Sequence, residues 1–148
     1  MTIHIASDHA GFELKESLIP FITEELGMQV TDHGAYTYDE NDDYPDFIRP
    51  AIEAVTKDLG NSKAIILGGS GQGEAMVANR YKGIRATVFY GGPLEIIELS
   101  RQHNDANVLS LGARFVNHED IKSAIKLWLD TTFTNEPRHT RRNNMIDN

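Results

Sequence analysis

The run Gly68-Gly69-Ser70-Gly71-Gln72-Gly73-Glu74 holds the residues best suited to chemistry. An apolar stretch, Ala64-Ile65-Ile66-Leu67, precedes it, and Ala75-Met76-Val77-Ala78-Asn79 follows. The order reads as strand, tight glycine loop and helix start. Glycines at 68, 69, 71 and 73 let the backbone turn N–H groups inward as an anion-binding nest. The start of a helix adds partial positive charge there. Ser70 contributes a hydroxyl, and Glu74 puts a carboxylate on the first helical turn. Such a site suits a reaction that moves a proton while negative charge grows on substrate oxygens. Two plainer readings stand beside it: the loop as a simple turn, and Glu74 as a complement to the helix dipole. The spacing is neither GxGxxG nor a Walker loop, which requires Gly-Lys-Ser/Thr.

A second group lies near the N-terminus. Ser7-Asp8-His9-Ala10-Gly11-Phe12 follows the short apolar strand Ile3–Ala6. Polar residues at a strand's C-terminal end, ahead of a helix, occupy the place where open α/β sheets bind ligands. Asp8 fits an N-cap as well as a site, and His9 beside it favours the site. At the other end, Pro137-Arg138-His139-Thr140-Arg141-Arg142 concentrates arginine in an acidic chain. That contrast favours a bound anion, for which guanidinium is well shaped.

The elements that must position these groups alternate along the chain. Leu14, Leu18, Ile22 and Leu26 form a helical stripe over 13–26, with a kink or break expected near Ile19 because of Pro20. Met28–Thr31 reads as a second strand. Residues 35–44 form a polar loop whose acids Asp39, Glu40, Asp42 and Asp43 read as solvated surface. His33 reads as structural. A helix from Tyr44 to about Leu59 leads to the glycine-loop strand. Arg85–Phe89 and Val108–Leu111 supply further strands. Leu94, Ile97 and Leu99 mark one more helix. Asn117 with Asp120 resembles a cap pair opening another, through Trp128. Strand–helix alternation implies a parallel sheet covered on both faces.

Composition narrows the function classes. One domain over 1–148, with 137–148 as a basic tail, fits a chain of 148 residues. A net charge of −8 argues against nucleic acid as partner. The absence of cysteine excludes disulfides, thiolate metal sites and a thiol nucleophile. No signal-peptide pattern and no membrane-length apolar run occur, so a cytoplasmic protein is expected.

Taken in order, Ser-Asp-His-Ala-Gly-Phe at 7–12, Asp43-Tyr44-Pro45, the glycine loop, Ser-Arg-Gln-His-Asn-Asp-Ala-Asn at 100–107 and Arg-His-x-x-Arg at 138–142 resemble one family along nearly the whole chain. It is the ribose-5-phosphate isomerase B family, which includes the galactose-6-phosphate isomerase subunits. The resemblance implies a Rossmann-like three-layer α/β/α sandwich with a five-stranded parallel sheet, a homodimer or tetramer, and cofactor-free aldose–ketose isomerisation. Many members carry a catalytic cysteine just before the loop. Here that place is Gly68, which matches the branch using a loop-end glutamate, here Glu74, as base.

By the same resemblance, Asp8 and His103 assist ring opening, and Ser70 stabilises the enediolate. Asn104 holds sugar oxygens. His9, Arg138 and Arg142 bind phosphate, with Arg114 assisting. Tyr44, Gly69, Gly71, Gly73 and His139 complete the expected binding set. The tail is expected to reach the neighbouring subunit's pocket. A metal site from Asp8, His9 and His103 matches no known ligand spacing, and no metal or cofactor is expected. Ribose 5-phosphate is the leading substrate. Galactose 6-phosphate, allose 6-phosphate and tetrulose phosphates fit the same chemistry, and a non-catalytic sugar-phosphate binder fits the same fold.

Overall fold

The computed structural model describes residues 1–148. Five strands run parallel: β1 (Thr2–Ser7), β2 (Gln29–Asp32), β3 (Ser62–Gly68), β4 (Ala86–Phe89) and β5 (Val108–Gly112). Their order across the sheet is β2-β1-β3-β5-β4. The helices are α1 (Phe12–Pro20), α2 (Tyr44–Lys57), α3 (Gln72–Ala78), α4 (Glu95–Gln102), α5 (His118–Asp130) and α6 (Pro137–Asn144). The expected parallel sheet with two covered faces is therefore present.

Strand alternation sorts the core into two layers. Ile3, Ile5, Ile65, Leu67, Leu109 and Leu111 pack with residues of α1, α4 and α5, including the fully buried Trp128. On the other face, Ala6, Ala64, Ile66 and Val108 meet Ile48, Ala51, Ile52 and Val55 of α2 and Ala78 of α3. Burial on both faces is why these strands are nearly continuously apolar.

Pro20 does mark a change of helix type. The α-helix ends there, and Phe21–Glu25 continues as a wider π-helical turn, because proline cannot donate to the preceding helical carbonyl. Asn117 caps α5 by accepting from the Asp120 N–H at 2.9 Å. The basic tail, read from sequence as a segment after the last helix, is itself a helix. Pro137 occupies its first turn, where a missing N–H costs nothing.

One side chain inside the α1 layer is charged. Lys15 is fully buried, with its Nζ 2.6 Å from Asp32 Oδ2 and 2.8 Å from Glu16 Oε1. The other Asp32 oxygen accepts from the Gly34 N–H at 2.9 Å. Gly34 and Ala35 in turn bond to Ser7 at 2.7 and 2.6 Å. Lys15 thus ties α1 to the loop that grips the end of β1.

The sheet order places a change of direction between β1 and β3. The chain moves outward from β1 to β2, then returns to place β3 on the other side. The C-terminal ends of β1 and β3 therefore open a crevice at the point where open α/β sheets bind ligands.

Candidate active site

The crevice is a cavity of about 420 Å³ lined by Asp8, His9, Ala10, Tyr44, Gly69, Ser70, Gly73, Glu74, Arg114 and Phe115. Six of the side chains singled out in the sequence, those of Asp8, His9, Tyr44, Ser70, Glu74 and Arg114, meet there together with Gly69 and Gly73.

The glycine loop takes its shape from its neighbours. Gly71 sits at φ +78°, a left-handed conformation that glycine adopts without steric cost. A Cβ there would also press on the Leu111 carbonyl at 2.9–3.0 Å. A Cβ on Gly73 would meet the Tyr44 ring at 2.7 Å, and one on Gly68 would fall on the Glu74 carboxylate itself. Ser110 Oγ donates to the Gly71 carbonyl. The Ala113 N–H donates to Gly68 O at 2.9 Å and the Arg114 N–H to Gly69 O at 3.1 Å. The N–H groups of Ser70 and Gly71 have no backbone acceptor within the chain. These are the donors an anion nest requires. Ser70 Oγ accepts a long bond from the Gln72 N–H at 3.4 Å.

Glu74 is 4% exposed. Burial raises its pKa above 4.5, its own backbone N–H opposes that rise, and the negative charge of Asp8 adds to it. A carboxylate stripped of water and aimed into a cavity is a stronger base than a solvated one.

Asp8 both caps the turn that follows β1 and lines the cavity. Its Oδ1 accepts from the Ala10 and Gly11 N–H groups at 2.9 and 3.3 Å. His9 Nδ1 lies 2.6 Å from Asp42 Oδ1 and 3.9 Å from Asp8 Oδ2. The bond to Asp42 raises the His9 pKa above 6.5; burial works against it, Asp8 adds to it, and Arg114 opposes it. Asp8, His9 and Asp42 present ligand atoms within 4.8 Å of one another; Asp8 Oδ1 is taken by the capping bonds and Asp42 Oδ1 by His9, while Asp42 Oδ2 is buried with no hydrogen-bond partner. His103 is not part of this group.

Asp42 is the residue that sequence reasoning missed. Within the acidic run it carries no distinguishing signal, and the expectation of solvated surface holds only for Asp39, Glu40 and Asp43, which are exposed. Phe115, also unforeseen, is 66% exposed on the cavity rim. His33 is structural as expected, with its Nε2 2.9 Å from His4 Nδ1.

The remaining expected site residues lie elsewhere in the chain. His103 caps the C-terminus of α4. His139 of α6 stacks on it with ring centroids 4.2 Å apart and planes 13° from parallel. The Asn143 side chain donates to His103 O at 3.1 Å. His139 is 5% exposed, and burial with His103 alongside lowers its pKa. Arg138 bonds Glu136 at 2.9 Å; Asn104 and Arg142 are exposed. None of His103, Asn104, Arg138, His139 and Arg142 lines the cavity that holds Glu74. The topology explains this: α4 runs back against the strands, so its end lies beside the start of β5, at the opposite end of the strands from the crevice. One chain does not unite the two groups.

Comparison with known proteins agrees with this geometry. Residues 3–146 match the family model described as Ribose/Galactose Isomerase. A ribose-5-phosphate isomerase B from Mycolicibacterium paratuberculosis is 38% identical, over 96% of this chain and 87% of that protein. The crystal structure of ribose-5-phosphate isomerase B from Mycoplasma genitalium with bound ribulose-5-phosphate superposes with a TM-score of 0.91 at 36% identity, covering 98% of this chain and 93% of that one. The Thermotoga maritima ribose 5-phosphate isomerase gives 0.89 at 38% identity, covering 99% and 97%. With nearly its whole length matched, the chain belongs to the ribose/galactose isomerase family.

Proposed function

We propose that this protein is a cytoplasmic, cofactor-free aldose–ketose isomerase that interconverts ribose 5-phosphate and ribulose 5-phosphate, with Glu74 as the base. Glu74 takes the proton from carbon 2 of the open-chain aldose and returns it to carbon 1. The electrons of the broken C–H bond form the enediolate, whose oxygens gain negative charge. The Ser70 and Gly71 N–H groups and the Ser70 hydroxyl stabilise that charge, a contribution of roughly 3–4 kcal/mol per donor in comparable sites. His9 and Arg114 supply positive charge on the same wall for the phosphate. Asp8 assists ring opening.

The two separated groups of residues support a further step in this reading. A two-fold dimer would bring His103, Asn104, Arg138 and Arg142 of one subunit to the Glu74 cavity of the other. His103 then works in ring opening and the arginines bind phosphate.

The observation that carries the reading is the placement of the Glu74 carboxylate. It is buried, raised in pKa, and set on the wall of a cavity also lined by Ser70, whose backbone N–H has no acceptor within the chain. A binder of sugar phosphates needs the donors but no buried base. The test is Glu74→Gln, which keeps size and loses proton acceptance. With ribulose 5-phosphate in deuterated water, deuterium entry at carbon 1 and isomerisation should both fall at least about 100-fold. Calorimetry should show substrate still binding. Isomerisation within tenfold of wild type would remove Glu74 as the base.

A further inference from the structure

Asp42 stands apart from its acidic neighbours. Its side chain is 9% exposed. One oxygen, Oδ1, accepts from the backbone N–H of His9 at 3.1 Å and meets the ring Nδ1 at 2.6 Å. One carboxylate oxygen therefore holds His9 at two points, main chain and ring. That grip fixes the ring's orientation and leaves Nε2 as its only uncommitted nitrogen, on a residue that lines the Glu74 cavity. Asp42 itself does not line the cavity.

We propose that Asp42 is a positioning residue for the isomerase reaction, engaging Nδ1 of His9 so that Nε2–H is presented to the phosphoryl group of the substrate. The proposal rests on the isomerase reading above and on His9 as a phosphate ligand.

The charges around His9 show what the contact adds. Asp42 faces it from the loop before α2, Asp8 from its own turn, and Arg114 from the segment after β5. Tyr38 approaches edge-on with ring centroids 6.1 Å apart, and Glu74 lines the same cavity from α3. Asp42 is the largest influence that favours the cationic ring, while Arg114 and burial oppose it.

A phosphate monoester becomes a dianion above about pH 6. A histidine at its ordinary value is cationic in only about a tenth of molecules at pH 7.5. Without Asp42, His9 would lose its charge over the range in which the phosphate gains its second one. Asp42 extends the cationic range of the ring further into the range in which the phosphate is a dianion.

The experiment is Asp42→Asn, which keeps shape and a hydrogen-bond acceptor but loses the charge. KM and kcat for ribose 5-phosphate are measured from pH 6 to 8.5, and the His9 ring is titrated by NMR in both proteins. The variant's KM should match wild type near pH 6 and exceed it by up to about tenfold toward pH 8, with a much smaller change in kcat. The His9 titration should move to lower pH. Asp42→Ser, which adds no bulk, gives the same readout should the asparagine variant fold poorly. A KM ratio constant across the pH range, or an unmoved His9 titration, overturns the assignment. His9→Asn separates the two levels. If it raises KM while Asp42→Asn shifts nothing, only the role of Asp42 fails. If it leaves KM unchanged, phosphate binding by His9 fails, and the proposal with it.

Discussion

Gly68→Ala puts a methyl group where the carboxylate of Glu74 sits. The obstacle is the far end of a side chain and not backbone, so the fold can yield by swinging Glu74 aside. Glu74 is 4% exposed, however, and has little free room. To restore ordinary contact distances the carboxylate must retreat by about 1 Å or more. Overpacking of this kind costs about 1–3 kcal/mol, which lowers the melting temperature by roughly 3–10 °C in a domain of this size. The catalytic cost is larger in effect. A misplacement of about 1 Å in a reacting group can cost 100-fold. We expect kcat to fall about 100-fold while KM stays within about threefold, since Asp8, His9 and Arg114 are untouched. The assay is ketose formation from ribose 5-phosphate, paired with thermal melting. Gly60→Ala is the control: a Cβ there meets nothing within 4 Å, and neither rate nor melting should change appreciably. A folded Gly68→Ala protein with kcat within fivefold of wild type would refute the claim that the position of Glu74 sets the rate.

Two further outcomes follow from the same site. The folded-state pKa of Glu74 is raised, so its stabilising contribution is present below the unfolded value and lost as pH rises through the folded one; melting curves from pH 4 to 8 should show Glu74→Gln gaining stability relative to wild type toward neutral pH, while the wild-type kcat falls as acid protonates the base. A forced heterodimer of Glu74→Gln with Arg142→Ala chains, co-purified by different tags, should regain up to about half of wild-type activity, because shared sites put both lesions in one site and leave the other intact; a heterodimer as inactive as its parents would refute the sharing of sites between subunits.

The strand-to-loop-to-helix unit around Glu74 was legible because glycines at alternate positions directly after an apolar run mark a tight turn that side-chain-bearing residues would disfavour. The sheet was legible because strands buried on both faces are written as apolar runs. Asn117 and Pro20 acted locally, so their effects could be read locally. The C-terminal helix was not legible, because Pro137-Arg138-His139-Thr140-Arg141-Arg142 carries no apolar stripe to give helical period. Asp42 and Lys15 were hidden for a different reason: each is a charged residue whose burial depends on a partner brought close only by the fold. The separation of His103 from Glu74 is topological, set by α4 running back along the sheet, and no residue type announces it. Gly68 was legible as a missing thiol; that its missing side chain makes room for Glu74 emerged only in three dimensions.

The collar around the glycine loop bears on how the protein loses activity when heated. Gly71 is fitted against the Leu111 carbonyl, Gly73 against Tyr44, and Gly112 against the Ser70 carbonyl. The loop is moulded by β5 and α2 from outside more than by bonds of its own. It has no private way to soften: loosening it means parting α2 from α3 or lifting the loop off the end of β5, both of which open the buried core. Thermal inactivation of this half of the site should therefore coincide with unfolding of the sheet, which parallel activity and melting curves would check.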